Sequence, residues 1–212
     1  MQVLYFKYAD LKTNWQQALN SRRFKRQLIF TVIVLTVLLS LLSYFFTYIE
    51  TRNGYKINDV LLQHLPSFNV SVFTFVIIYA AAILSILNVL PRPQTFLTAL
   101  WAYMLMLLLR LVTIYTWPLE APDNIIPLQD PFVETFFYGH TRITKDLFFS
   151  GHVATVCVLY LANPYRQLRY LYLSVVVLVA VLILIQHAHY SIDVLTAPIF
   201  AWLCFWLAKR LA

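Results

Sequence analysis

Six long apolar stretches dominate the sequence, and each is close to the length that a helix needs to cross a lipid bilayer. The hydrocarbon core of a bilayer is about 30 Å thick, which a helix of about 20 residues spans. Backbone N–H and C=O groups find no partners in lipid, so such stretches must be helical. They cover residues 28–49, 70–90, 96–117, 147–162, 170–186 and 192–207. We therefore predict an all-α, multi-pass membrane protein with six transmembrane helices.

The balance of residue types agrees with this assignment. Hydrophobic residues make up 61% of the 212 residues and charged residues 12%, whereas about a quarter of residues are charged in soluble domains. We predict one six-helix transmembrane domain over residues 28–212 and an N-terminal arm over residues 1–27. The arm mixes basic and aromatic residues, which favours a helix in the headgroup layer; a solvated cytoplasmic tail is the alternative.

Basic residues fall on one side of the six-helix arrangement and predict its orientation. Loops rich in lysine and arginine tend to stay in the cytoplasm. The N-terminal arm has six bases, and the other loops on that side have Arg92, Arg166, Arg169, Lys209 and Arg210. The opposite loops have four bases and seven acids. Both termini are therefore predicted to be cytoplasmic. The opposite side faces the exoplasm, which is the periplasm for a bacterial inner membrane or a lumen-facing equivalent.

Two short motifs concentrate the groups that can make and break phosphate bonds. Residues 146–152 read Asp-Leu-Phe-Phe-Ser-Gly-His, and residues 189–193 read His-Tyr-Ser-Ile-Asp. About 35 mostly apolar residues with one polar turn separate them, as a helical hairpin requires, so both motifs should face the same membrane side. This predicts one active site on the exoplasmic side.

The second motif has the spacing of an activated nucleophile. His189 and Asp193 are four residues apart, so on a continuous helix they share a face, and the carboxylate can hold one imidazole nitrogen while the other faces substrate. Such an imidazole can attack phosphorus while a second histidine, His152, donates a proton to the leaving oxygen. A helix-start aspartate that pairs with a histidine is also a common structural cap.

Several other residues are candidates for binding phosphate. Ser150 and Gly151 lie at a predicted helix start, which favours an anion, and Gly151 suggests that backbone approaches something closely, with a phosphate the natural candidate. A simple N-cap is the alternative. Arg110 lies about 12 Å inside a predicted span at 1.5 Å per residue. It either neutralises a lipid phosphate or pairs with an acid such as Asp193.

The loop before the first motif adds further candidates, each with an ordinary alternative. Arg142 and Lys145 can reach a phosphate or simply lie at the interface. Asp130 and the aromatic residues after it can contact a cationic headgroup or form a lid at the interface. His187 and His189 fall on different helix faces, so we expect no metal site from them, and we expect no cofactor. The net charge of +7 is taken as a topology signal, and no nucleic-acid partner is expected.

These residues resemble the sphingomyelin synthase branch of the type-2 phosphatidic acid phosphatase (lipid phosphate phosphatase) superfamily. The resemblance runs from about Arg92 to the C-terminus and includes both motifs and the segment 110–113, Arg-Leu-Val-Thr. It implies a six-helix bundle that opens to the exoplasmic face. It also implies that His189 is the nucleophile, Asp193 its orienting carboxylate and His152 the acid and base. Within the motifs, Asp146 and Tyr190 join the substrate-binding candidates.

One departure favours a transferase within this superfamily. Phosphatase members have an arginine-containing element before the second histidine, where this sequence has Leu182 and Ile183, and synthase-type members lack it too. We therefore predict a phosphotransferase that moves a phospho-headgroup from a glycerophospholipid to ceramide or diacylglycerol. One alternative is a lipid phosphate phosphatase or phospholipase C-like hydrolase with the same three residues. The other is a non-enzymatic transporter or scaffold, in which Arg110 marks a permeation path.

Overall fold

The computed structural model describes residues 8–130 and 143–212, and these residues form helices joined by loops. The helices are α1 (Tyr8–Asn20), α2 (Arg22–Glu50), α3 (Val60–His64), α4 (Ser71–Val89), α5 (Pro93–Thr116), α6 (Gly151–Ala162), α7 (Arg166–Ile185) and α8 (Ser191–Leu211). The only β pairing within the described ranges is a single bridge between two loops. The all-α prediction is confirmed for this part of the chain.

Five of the helices are long and apolar enough to cross a membrane. They are α2, α4, α5, α7 and α8, with 19 to 29 residues each. Their apolar segments agree with the predicted stretches, although α2 begins at Arg22 instead of Leu28. Ser21 caps α2 through a hydrogen bond from the Phe24 N–H to its hydroxyl, 3.4 Å long. The cap extends α2 by more than one turn through the basic residues at its start. The protein is therefore an integral membrane protein by the length and composition of these helices.

The remaining predicted span, residues 147–162, is only partly helical. Helix α6 has 12 residues, which at 1.5 Å per residue is about 18 Å, well short of a bilayer core of about 30 Å. The preceding Leu147, Phe149 and Ser150 are non-helical but fully buried. Non-helical backbone at membrane depth is tolerated where protein surrounds it. The helix therefore starts inside the bundle, and a sixth crossing stays a prediction.

Contacts at one end of the bundle bring together the regions that were predicted to be cytoplasmic. The Trp15 indole in α1 donates to the Leu90 carbonyl in the α4–α5 turn (2.7 Å), and the Gln27 amide donates to the Leu211 carbonyl (2.6 Å). Helix α1, which lies within the predicted N-terminal arm, therefore packs against the bundle. Helix α1 and the C-terminal end of α8 lie at this end, while the membrane side that it faces stays a prediction.

The centre of the bundle is built on α8, which packs against α5 and α6. Small residues allow this close approach, because a methyl side chain keeps helix axes near one another in lipid. Ala197, Ala201 and Ala208 of α8 and Ala154 of α6 are fully buried. This packing fixes the start of α6 against the start of α8, which is where the two motifs meet.

Candidate active site

Loops cover the end of the bundle away from α1 and the C-terminal end of α8. We call residues 51–70, 117–130 and 143–145 the loop cap. Two of its segments pair by backbone hydrogen bonds, from Tyr55 N–H to the Pro118 carbonyl (2.8 Å) and from Glu120 N–H to the Tyr55 carbonyl (2.9 Å). A side chain at Gly54 would place its Cβ 2.6 Å from the Leu119 carbonyl carbon, so this crossing requires glycine.

The second motif places its histidine just outside a helix. Helix α8 begins at Ser191, and the Asp193 carboxylate accepts hydrogen bonds from Tyr190 N–H (3.1 Å) and from His189 Nδ1 (3.4 Å). The two side chains meet, but not because a continuous helix carries both. Asp193 caps the helix that it belongs to, and the same oxygen binds the imidazole of the preceding turn. His189 and Asp193 are both buried.

The first motif brings the second histidine opposite the first. His152 lies in the first turn of α6, with its ring centroid 6.5 Å from that of His189. A backbone hydrogen bond from Ser150 N–H to the Asp193 carbonyl (3.1 Å) ties the two motifs together. One phosphorus atom between the rings would be within reach of both.

Arg110 supports the first motif from α5. Its guanidinium donates to the Asp146 carboxylate and to the Phe149 carbonyl, and the Thr113 hydroxyl donates to the Phe148 carbonyl (2.9 Å). The side chain of Arg110 is buried, so the Asp146 carboxylate offsets the cost of its charge. Of the two predicted roles, pairing with an acid is the one that these contacts show, and the acid is Asp146 instead of the suggested Asp193; binding of a lipid phosphate stays a prediction.

The Arg110 side chain also explains the glycine of the first motif. A Cβ atom added to Gly151 would lie 2.7 Å from Cζ and 2.9 Å from a terminal nitrogen of Arg110. The close approach predicted from this glycine therefore exists for the Arg110 guanidinium, and phosphate binding at Gly151 stays a prediction. Gly151 leaves room for Arg110 at the site.

A cavity of about 760 Å³ extends from these groups along the apolar helices α2, α4 and α5. This volume lies within the range of about 300–1,000 Å³ that is typical of small-molecule sites. Arg110, Asp146, His152 and His189 line its polar end. Its apolar walls include Leu39, Leu42 and Phe46 of α2, Phe75 and Ile78 of α4, and Met106, Leu107 and Ile114 of α5. The cavity thus joins a charged end to a surface suited to acyl chains.

One acidic residue of the loop cap also lines the cavity. The Asp130 carboxylate accepts a hydrogen bond from the Tyr79 hydroxyl (2.6 Å). The predicted aromatic segment after Asp130 falls in residues 131–142, outside the described residues. Arg142 lies there too, so its predicted phosphate-binding role stays a prediction.

Three other candidates do not line the cavity. The Lys145 ammonium donates to the Glu120 carboxylate (3.0 Å) and to the Arg52 carbonyl (2.6 Å). The Tyr190 hydroxyl donates to the Glu120 carbonyl (3.0 Å) within the loop cap. The Ser150 side chain is fully buried beside the motifs. The roles of these three residues in substrate binding stay predictions. The contacts of Lys145 and Tyr190 do not support such roles, because both side chains bond to residues of the loop cap.

Sequence reasoning missed the carboxylates that hold these segments. Glu50, at the end of α2, accepts hydrogen bonds from the backbone N–H groups of Thr144 (2.5 Å) and Lys145 (2.7 Å). Glu120 accepts from Gly54 N–H (2.7 Å) and from Lys145, and these bonds lower the pKa of its carboxyl. From the sequence, Glu50 and Glu120 contributed only negative charge to the loops. Their contacts could not be predicted, because backbone N–H groups are present in every residue type except proline.

Three buried polar atoms at the meeting point of the motifs have no hydrogen-bond partner among the described residues. They are Ser150 Oγ, His152 Nδ1 and Asp193 Oδ1. Buried polar atoms are nearly always paired, and exceptions cluster at functional sites or where water or ligand binds. Within residues 8–130 and 143–212, no group of three or more His, Cys, Asp or Glu side chains is placed to hold a metal ion.

Comparison with known families agrees with this site. Residues 145–210 match the family described as PAP2 superfamily C-terminal. The matched segment contains both motifs, and it supports membership of the type-2 phosphatidic acid phosphatase superfamily. No curated protein matches the sequence significantly. Members of this superfamily are usually phosphatases or phosphotransferases, so the match and the apolar helices indicate a membrane enzyme of the lipid phosphatase type.

Proposed function

We propose that the protein is a sphingomyelin synthase-like phosphotransferase of the membrane. It moves a phospho-headgroup from a glycerophospholipid to a lipid alcohol, ceramide or diacylglycerol, through a covalent intermediate on His189. The observation that carries the proposal is the pair of imidazoles with centroids 6.5 Å apart at the polar end of one lipid-sized cavity. His152 and His189 can act on opposite sides of one phosphorus atom.

The cavity accounts for binding of the donor lipid. Its walls on α2, α4 and α5 are largely apolar, and these three helices are among those long and apolar enough to cross a membrane. Acyl chains can therefore enter the cavity from lipid without being exposed to water, while the phosphate reaches the end where Arg110 lies. Two N–H groups of Arg110 are used by Asp146 and Phe149, and a guanidinium has five donors. Arg110 can therefore hold its place and still donate to a phosphate oxygen.

In the first step, His189 attacks phosphorus. Asp193 accepts the hydrogen bond from Nδ1, which leaves the Nε2 lone pair for attack. A bond forms between Nε2 and phosphorus as the bond between phosphorus and the diacylglycerol oxygen breaks. His152 gives its proton to that oxygen, so that diacylglycerol leaves as a neutral alcohol. The phospho-headgroup is then bound to His189.

In the second step, the acceptor alcohol takes the headgroup. Its hydroxyl gives its proton to His152, its oxygen attacks phosphorus, and the bond from phosphorus to Nε2 breaks. Both histidines return to their initial states. With ceramide as the acceptor, the product is a ceramide phospho-headgroup lipid. The scheme needs no metal ion, so turnover is expected to persist in the presence of a chelator.

Hydrolysis is the second candidate function, and the family match favours it, because the family's name refers to phosphatidic acid phosphatase. The same residues would act, with water in place of the lipid alcohol. Which acceptor reacts depends on how well the occupied cavity excludes water. The two functions share the first step and differ only in the second.

An assay with purified protein in mixed micelles separates the two functions. Phosphatidylcholine, phosphatidylethanolamine or phosphatidylglycerol is supplied with and without ceramide, with phosphatidic acid in parallel, and products are identified by mass spectrometry. A new ceramide phospholipid that is absent with His189→Ala is the expected result. Diacylglycerol with free phospho-headgroup or free phosphate would establish hydrolysis instead. His64 is exposed, so His64→Ala is the control. If His189→Ala formed the same products as this control, both functions would be contradicted.

A further inference from the structure

Asp59 of the loop cap contacts the start of the helix that follows His189. Its carboxylate accepts a hydrogen bond from Ser191 N–H (2.6 Å) and another from the Ser191 hydroxyl (3.0 Å). Ser191 is the first residue of α8. The contact joins positions 132 residues apart, and Asp59 lies outside the segment that the family match covers.

The same carboxylate also caps a second helix. Asp59 precedes α3, and its Oδ1 accepts hydrogen bonds from the N–H groups of Leu61 (3.1 Å) and Leu62 (3.2 Å). Burial alone would raise the pKa of the Asp59 carboxyl, but the hydrogen bonds from Ser191, Leu62 and Leu61 together lower it. Asp59 is therefore ionised at neutral pH and binds the starts of α3 and α8 at once.

Two further contacts fix the same turn from other directions. The Tyr190 hydroxyl donates to the Glu120 carbonyl (3.0 Å), and Tyr190 N–H donates to Asp193 (3.1 Å). The contact between His189 and Asp193 is the longest in this set, at 3.4 Å. Because hydrogen bonds weaken steeply with poor geometry, a small shift of the first turn of α8 would break this contact first.

We propose that Asp59 is a positioning residue for the nucleophile. By holding the N–H and hydroxyl of Ser191, it fixes the first turn of α8 and so keeps His189 in register with Asp193. The inference rests on the proposed function, since it concerns the residue that attacks phosphorus there. Asp59 does not line the main cavity, so it acts through His189 and not on the substrate.

Asp59→Asn tests the contact with little change elsewhere. Asparagine is as good an N-cap as aspartate, so its amide oxygen can keep the cap of α3. Its amide NH₂ then faces the Ser191 N–H, and two donors repel. A misplacement of about 1 Å at a reacting group can lower the rate about 100-fold. We expect kcat to fall about 10- to 100-fold while KM stays within about twofold, because the substrate site is unchanged.

A double-mutant cycle separates positioning from general destabilisation. If Asp59 acts through the His189–Asp193 contact, Asp59→Asn should cost no more than about twofold once Asp193→Asn has removed that contact. If Asp59 had only a structural role, Asp59→Asn would lower kcat by the same factor in the wild type and in the Asp193→Asn variant. Ser191→Ala removes only the hydroxyl bond and should lower kcat in the same direction by a smaller factor, which provides a milder test if Asp59→Asn folds poorly.

Asp123→Asn is the matched control. Asp123 lies in the same loop cap and is largely exposed, with an ion pair to Lys56, so its neutralisation should leave kcat unchanged. Suppose that His189→Ala abolishes turnover. The inference is then wrong, and the proposed function stands, if Asp59→Asn and Ser191→Ala have as little effect as Asp123→Asn. The same holds if Asp59→Asn lowers kcat by the same factor with and without Asp193→Asn. If His189→Ala retains turnover, the proposed function itself is wrong.

Discussion

The two motif segments and the loop cap contribute to the site in different ways. Residues 146–152 and 189–193 carry His152, His189 and Asp193, and these segments meet through α6 and α8. Carboxylates outside the motifs bind backbone N–H groups within them or next to them. Asp59 of the loop cap binds Ser191 N–H, and Glu50 at the end of α2 binds Lys145 N–H, just before the first motif. The reacting groups and several of the groups that hold them in place therefore come from different parts of the chain. Substitutions of the reacting residues in the motifs should therefore abolish turnover. Substitutions in the loop cap should lower turnover by a smaller factor, because they only misplace the reacting groups.

The largest effect is expected from the two histidines. His189→Ala removes the attacking nitrogen and His152→Ala the proton donor, and each should lower kcat about 1,000-fold or more. Product formation by mass spectrometry measures this loss. The exposed His64 of α3 provides a matched control, since His64→Ala should retain wild-type turnover. Equal losses in all three variants would mean that the motifs are not the site of chemistry.

Arg110→Lys should have the next largest effect. A lysine ammonium cannot reproduce the planar fork that reaches both the Asp146 carboxylate and the Phe149 carbonyl. The first motif then loses its support from α5, and we expect kcat/KM to fall about 100-fold. Arg23→Lys, an exposed position at the start of α2, should have no effect. Near wild-type turnover of Arg110→Lys would show that charge alone suffices at this position.

Substitution of Gly151 in the first motif and of Gly54 in the loop cap should have different effects. At Gly151 an added Cβ meets the end of the Arg110 side chain, and at Gly54 it meets the backbone of Leu119 and Glu120. Gly151→Ala should displace the guanidinium and lower kcat/KM about tenfold with a small change in melting temperature. Gly54→Ala should instead destabilise the protein by about 1–3 kcal/mol, the usual cost of overpacking. Thermal unfolding and turnover of both variants check this, and the opposite pattern would contradict the assignment.

The smallest expected effect is a loss of stability at acidic pH. The pKa values of the Asp59 and Glu120 carboxyls are lowered in the folded protein from 3.8 and 4.5. Each group therefore contributes stability that is present above these values and is lost as the pH falls through the folded pKa. The melting temperature should fall below about pH 4.5, and by less in the double variant Asp59→Asn, Glu120→Gln. If the melting temperature of the double variant fell as much at acidic pH as that of the wild type, Asp59 and Glu120 would not be the source of this pH dependence.

The sequence predicts most of the helical arrangement because span length follows from the bilayer. It fails at residues 147–150, where hydropathy counts buried non-helical residues as part of a helix. Leu147 and Phe149 are apolar because protein surrounds them, and not because they continue α6. A pattern of apolar residues does not distinguish these two reasons.

The predictable part of the site is the part whose residues are close in sequence. His189 and Asp193 are four residues apart and meet in the structure. Arg110 and Asp146 are 36 residues apart, and only the packing of α5 against the first motif shows that they pair. The bond from Ser191 to Asp59 was harder still to foresee, because one of its groups is a backbone N–H that every residue type except proline offers.

The central claim is that His189 carries the phospho-headgroup, and trapping of the intermediate tests it most directly. The purified protein is mixed with donor phospholipid without acceptor, quenched in alkali because a phosphorus–nitrogen bond is labile in acid, digested and analysed by mass spectrometry. We predict a phospho-headgroup adduct on the peptide that contains His189, absent in His189→Ala and discharged by ceramide. Turnover with no adduct on His189, or with the adduct on His152, would contradict the account.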